Sequence, residues 1–266
     1  VNLAVLRRAL ADRRRSLLWW SVGVVAYVAM IVAVYPTIRD ASGINELVQQ
    51  YPEGLMALFG VDSIDFTSGA GYLATELFGF VLPLLVLILT IGTGANAVAG
   101  AEERGILDLV LSHPVSRRSY YLQQAVVVAV EAAILGSVVV VTLLVAEPLV
   151  DLGLAPANLV GSVLGVALVA LVLGWAALAL GAATGSRAMA LGGASALAAF
   201  GYLAATLPEL VDGLGPVRWI SPFWYGTAGN PLVTGYTWWY AVVLAVAALV
   251  VLGLGSARFE RRDLSS

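Results

Sequence analysis

Glu131 lies about nine residues into an apolar run, roughly 14 Å along a helix at about 1.5 Å per residue, which puts it near mid-membrane. A carboxyl there costs several kcal/mol unless it is neutral, paired or wet, so two readings stand together. It is either a functional group, such as a proton carrier, or a packing contact hydrogen-bonded to Ser137 or to a neighbour's Ser, Thr or Asn. Asn96, near the end of the preceding apolar run, fits a hydrogen bond across helices, worth roughly 1 kcal/mol. Glu76 fits an interfacial position. The densest polar stretch begins at Glu102-Glu103-Arg104-Gly105, continues through Ile106-Leu107-Asp108-Leu109-Val110-Leu111-Ser112 and ends at His113-Pro114-Val115-Ser116-Arg117-Arg118. Ile106, Leu109 and Val110 stand at i, i+3 and i+4, on one side of a helix. A short helix offering acids and aliphatics together suits docking into a groove on another protein. A solvated turn that merely reverses the chain needs no such aliphatics.

Other chemistries lack their residues. The chain has no cysteine, so disulfides, thiolate metal sites and cysteine nucleophiles are excluded, and no metal site is expected. All 14 side-chain cations are arginines. Without lysine the G-x-x-x-x-G-K-[ST] phosphate cradle cannot be built. These arginines face 17 carboxylates for a net charge of −3, which argues against nucleic acid. The one histidine, His113, sits in the polar stretch, where a helix-end role fits better than metal binding. Ser137, Ser162 and Ser195 in apolar runs have no histidine beside them, so hydrolysis within the membrane is not expected.

The elements that position these groups follow from composition. Of 266 residues 60% are hydrophobic and 12% charged, with a mean hydropathy of +0.92, more apolar surface than a soluble globule this size can hide. Six runs, 17–35, 77–99, 122–146, 159–182, 188–207 and 238–256, reach the about 20 residues a spanning helix needs. They are continuously apolar, not alternating, and too long for barrel strands. The expectation is an all-α integral membrane protein, one transmembrane domain over 1–266, in a cytoplasmic (cell) membrane. The first run is too long, and lacks the small-residue site, for a cleavable signal peptide. Placing both termini in the cytoplasm puts twelve arginines inside and leaves Arg39 and Arg218 outside, in accord with the positive-inside rule.

The connections differ. Residues 1–16 read as an amphipathic helix on the inner membrane surface, Leu3, Leu6 and Leu10 opposing Arg7, Arg8 and Arg13 to Arg15; it is either a topology anchor or a lever moved by a partner. The outer loop 36–76 contains an amphipathic stretch at 44–50. The loop 100–121 is the sizeable cytoplasmic connection. The segment 208–237 holds Trp219-Ile220-Ser221-Pro222-Phe223-Trp224-Tyr225, too apolar for a solvated loop, and is expected to dip back into the membrane as a re-entrant hairpin. Gly161-x-x-x-Gly165 permits close helix packing, within the chain more readily than between chains.

At the polar loop the sequence resembles the membrane permease subunits of ABC-2 type exporters. The resemblance rests on Glu102-Glu103-Arg104-Gly105, Leu107-Asp108-Leu109-Val110-Leu111-Ser112 and Pro114-Val115-Ser116-Arg117. Tyr51-Pro52, Leu58-Phe59-Gly60, Ser221-Pro222-Phe223 and the ending Phe259-Glu260-Arg261-Arg262-Asp263-Leu264 extend it along the chain. His113 departs from the pattern, where small or charged residues are usual. The resemblance implies that 102–113 include a coupling helix seated on a separate ATPase, which binds the ATP and Mg, this chain holding no cofactor. Glu102, Glu103, Arg104, Gly105, Ile106, Leu109, Val110, Pro114 and Arg117 are then the ATPase-coupling residues. It further implies two permease subunits, alike or different, around one pathway, with Pro222, Phe223 and Trp224 among outer-gate candidates. Two other functions fit the residues: a proton-coupled secondary carrier using Glu131, and a non-transporting membrane scaffold subunit.

Overall fold

The computed structural model describes residues 3–41, 65, 67–209, 211, 213–227 and 229–262. The amphipathic stretch expected at 44–50, with Tyr51-Pro52 and Leu58-Phe59-Gly60, lies outside them. The described chain is helical throughout, with no strand among the described residues. Six helical segments are long and apolar enough to cross a membrane, which makes this a multi-pass membrane protein. The first is α1 (Ala4–Arg39). The second combines α2 (Gly69–Leu73), a π-helical turn (Ala74–Phe78) and α3 (Val81–Ala97). Two short helices follow, α4 (Ala99–Glu103) and α5 (Ile106–Leu111). The third and fourth spans are α6 (Arg117–Val150) and α7 (Pro156–Thr184), and the fifth is α8 (Arg187–Thr206). After 3₁₀ turns at Leu207–Glu209 and Gly215–Ile220 come α9 (Pro222–Thr227), α10 (Pro231–Thr234) and the sixth span, α11 (Trp238–Arg261).

Local signals set the boundaries. Ser116 and Ser186 cap α6 and α8, their hydroxyls accepting from the Ser119 and Met189 amides at 3.2 and 3.4 Å. Gly185 ends α7 with φ +70°, a left-handed geometry that glycine adopts freely. Gly105, with φ +66°, separates α4 from α5, so the stretch 102–113 is two short helices meeting at a turn rather than one.

Over its described residues, the arginine-bearing segment expected at 1–16 is not a separate element. It is continuous with span one in a single 36-residue helix, about 54 Å long at 1.5 Å per residue and well beyond the about 30 Å of a hydrocarbon core. At its first turn the Leu6 amide, which has no carbonyl of its own helix to bond, donates to the Gln123 side chain of α6 at 2.9 Å.

Span four, α7, is the hub: α3, α6, α8, α11 and the short helices α9 and α10 all pack on it, while α1 packs mainly on α6. The α3–α7 crossing is close because both helices present glycine. A Cβ at Gly94 would overlap the Gly174 carbonyl, and one at Gly174 would sit 2.9 Å from Thr90 Cβ of α3. Gly165 likewise faces the Gly226 carbonyl of α9, and Gly161 faces Tyr236, so the 161–165 pair is spent on packing within the chain.

Gly94→Ala is therefore expected to lower the thermal unfolding midpoint in detergent, by an overpacking cost of about 1 to 3 kcal/mol. Gly92→Ala, on the same helix with nothing within 4 Å of its added Cβ, is expected to leave the midpoint unchanged. Tryptophan fluorescence during heating measures both, and equal shifts would contradict the crossing.

Candidate functional site

The polar chemistry gathers at one end of the bundle, in two knots joined by the α4–α5 arm. In the first, Glu131 of α6 is fully buried and ion-paired with Arg13 of α1. Arg13 also donates to the hydroxyl of Thr93 on α3, and that hydroxyl lies 2.6 Å from Glu131 Oε2 and 2.8 Å from the Leu89 carbonyl. One carboxylate thus ties three spans together. The partner is not Ser137, which is exposed on the bundle's outer face. Arg13 precedes the apolar run that opens at Leu17, and α1 and α6 run side by side in register, Leu6 at Gln123 and Arg13 at Glu131.

In the second knot, Glu102 of α4 is ion-paired with Arg262 at the end of α11, with only 11% and 15% of their side chains exposed. Arg262 Nη1 donates to the Ala182 carbonyl at 3.0 Å, satisfying the C-terminal turn of α7. Arg117, the first residue of α6, donates to the Arg262 carbonyl at 2.6 Å. Glu103 accepts from the Arg187 amide at 2.7 Å, capping the start of α8. A Cβ at Gly185 would stand 2.9 Å from Arg262 Nη2, so glycine there serves both the turn and the ion pair. The arm is thereby clamped to spans three, four, five and six. Glu102 faces inward, and Glu103, though exposed, already has a partner within the chain.

The aliphatics divide as their spacing demands. Leu107 is buried at 1% exposure and anchors α5, Val110 is half-buried, and Ile106 and Leu109 stand 45% and 67% exposed. Arg104, Gly105 and Pro114 are also exposed. His113 closes the end of α5, its Nδ1 3.0 Å from the Leu109 carbonyl. Asn96 makes its hydrogen bond not across helices but back to the Gly92 carbonyl of its own helix, at 2.7 Å.

At the opposite end, Phe223 is buried and meets the Tyr202 ring edge-on at 5.6 Å, while Pro222 and Trp224 are half-buried. Ser221 caps the start of α9 and donates to the Gly201 carbonyl of α8 at 2.5 Å. Arg218 stacks over Trp224 and Trp219, 4.4 and 5.1 Å from their ring centres. The aromatic cluster is part of the packed wall of the bundle. Among the described residues no group of three or more His, Cys, Asp or Glu gathers as a metal site.

The reading from sequence missed Arg13, Arg262 and Thr93 as partners. Each of the two arginines is one of many at the same end, and only tertiary packing singles it out. A faint signal exists for Arg13: Leu6 and Arg13 are seven residues apart and Gln123 and Glu131 eight, near-equal repeats suited to two parallel helices.

Removing one partner of a buried ion pair leaves an uncompensated charge, so Arg13→Met or Glu131→Leu alone is expected to cost about 3 to 5 kcal/mol. The double substitution Arg13→Met with Glu131→Leu is expected to recover most of the loss, because apolar groups replace both charges. A double-mutant cycle on thermal unfolding measures the coupling, and purely additive losses would contradict it.

An all-α bundle of six apolar spans, a clamped arm with exposed aliphatics, and no metal cluster among the described residues are the geometry with which known proteins can be compared. No curated protein matches the sequence. The family model described as ABC-2 family transporter protein matches residues 3–264, nearly the whole chain. The chain belongs to the ABC-2 family of transporter proteins.

Proposed function

We propose that the protein is the membrane permease subunit of an ATP-driven ABC-2 type exporter. A separate ATPase supplies the power and binds the ATP and Mg. Its docking surface is the α4–α5 arm, with Ile106 and Leu109 as the apolar anchors and Arg104 and Pro114 at the rim. The carrying observation is that these aliphatics project from an arm whose base is ion-paired into the bundle through Glu102 and Arg262. Exposed aliphatics call for a partner, and a clamped base lets that partner's movement reach the spans.

In this reading Glu102 and Glu103 hold the arm rather than touch the ATPase, which revises the role the resemblance implied for them. Both termini and the arm are cytoplasmic, as twelve arginines at that end favour. The α9–α10 hairpin is a re-entrant element of the outer gate. Its support is the approach of Gly226 to Gly165, about nine residues or roughly 14 Å along α7 from the start of that helix. Two permease subunits, identical or paired with a different chain, enclose one pathway. The proton-carrier reading loses ground, because Glu131 is fully buried and already engaged by Arg13 and Thr93.

Co-purification in mild detergent tests the docking surface. The wild-type chain is expected to bring down an ATPase. The double variant Ile106→Asp with Leu109→Asp is expected to lose it at least tenfold while its thermal midpoint stays at the wild-type value, since both side chains are exposed. Undiminished recovery of the ATPase by the variant would refute the assignment.

A further inference from the structure

Three tyrosines set the register of spans one and two, which run antiparallel. Tyr35 donates to the Thr67 carbonyl and Tyr72 to the Ile31 carbonyl, each at 3.1 Å, and Tyr27 donates to the Glu76 carbonyl at 3.0 Å. Span two begins at Gly69 rather than at 77, so Glu76 lies inside it. It belongs to the π-helical turn, a rare form of helix that recurs at functional sites. Tyr27 stands ten residues after Leu17 and eight before Tyr35, the ends of the apolar run of span one, or about 15 and 12 Å along the helix. Glu76, level with Tyr27 to within about one turn, therefore sits at hydrocarbon depth and not at the interfacial position expected for it. It is exposed, and its carboxylate makes no ion pair with another described residue. A bare carboxylate at that depth is strongly unfavourable, so what neutralises it comes from outside the bundle.

A groove of 380 Å³ opens between α1 and α3 and ends at Tyr27, with Trp19, Trp20, Val24 and Leu85 along its walls. Its size falls in the range of small-molecule sites, about 300 to 1,000 Å³. Trp19, 71% exposed, leaves it open sideways. Tyr27 joins the two features, since its ring lines the groove and its hydroxyl touches the backbone of Glu76. An apolar groove walled by two indoles and a phenol, with an unpaired carboxylate at one end, is the complement of an organic cation with a bulky apolar body. The carboxylate offers an ion pair, and the ring faces attract positive charge.

We propose that this groove binds a lipophilic organic monocation, with Glu76 as its ion partner. The proposal rests on the proposed function in taking that molecule as the cargo of the exporter, and it names the cargo's chemical class. Acyl chains of lipid would fill the groove but leave the carboxylate unpaired. A second copy of this chain supplies no cation at that depth, because none of the six apolar runs contains an arginine and the chain has no lysine. The occupant therefore brings the positive charge itself.

The test is isothermal titration calorimetry of the full chain, in a neutral detergent, with tetraphenylphosphonium and tetraphenylborate, a cation and an anion of nearly the same size and shape. The wild type is expected to bind the phosphonium saturably and at least tenfold more tightly than the borate. Glu76→Gln is expected to weaken phosphonium binding about tenfold, the scale of one charge pair at a partly desolvated site. Glu76→Asp is expected to keep most of it. Glu260→Gln, an exposed carboxylate near the end of α11, is expected to keep all of it. Equal phosphonium affinity in the wild type and Glu76→Gln, both with wild-type thermal midpoints, would overturn the proposal. So would equal affinity of the wild type for the two ions. Absence of saturable phosphonium binding to the wild type would also overturn it, leaving the carboxylate to protonation or to a different permease chain. Binding is read without the ATPase, so its failure is separate from a failure of co-purification by the docking surface.

Discussion

A carboxylate withdrawn from water obliges its surroundings to neutralise it, and much of this architecture answers that obligation at Glu131. The side chain is fully buried on α6, where an unpaired charge would cost several kcal/mol. Its neutralising partner comes from the segment before span one. That requires α1 to continue as one helix past its apolar run and to lie parallel to α6 for its whole length. Thr93 then brings α3 to the same point. A helix that composition alone would lay on the membrane surface is thereby held upright against the bundle.

The second ion pair extends the same logic to the arm. Six residues of α5 are too few to be stable by themselves, since an isolated helix needs on the order of 12 to 15 residues. The arm is fixed instead by Leu107 in the core, by Glu102 on Arg262 and by Glu103 on the first amide of α8. These contacts leave Ile106 and Leu109 free to meet a partner. They also join the base of the arm to the ends of four spans, and α7 packs against most of the other spans.

The apolar majority made the six spans legible, because membrane insertion is decided by long, continuous runs that sequence displays directly. The outward face of α5 was legible for a similar reason, its i, i+3, i+4 spacing being a local property. What could not be read was pairing. Glu102 and Arg262 are 160 residues apart and Arg13 and Glu131 118 apart, and nothing local distinguishes Arg262 from Arg261 or Arg13 from Arg14. The same limit made Glu102 look outward, since an acid near an aliphatic helix reads equally well as a contact for a partner. Gly105 held the signal that divides the stretch into α4 and α5, but its left-handed turn becomes certain only when both flanking helices are in place. Asn96 was misread because a polar side chain in a span satisfies itself on its own helix as readily as on a neighbour.

If the Glu102–Arg262 clamp makes the arm and the spans one mechanical unit, a displacement of the arm must reach the far end of the bundle. The chain has no native cysteine, so spin labels at Ser112→Cys on the arm side and Val233→Cys on the hairpin report cleanly. Their separation, measured by pulsed electron spin resonance in the complex with the ATPase, is compared between the nucleotide-free and ATP-trapped states. The account predicts a shift on trapping that disappears in Glu102→Ala while the ATPase stays bound. A shift of the same size without the Glu102 carboxylate would contradict it.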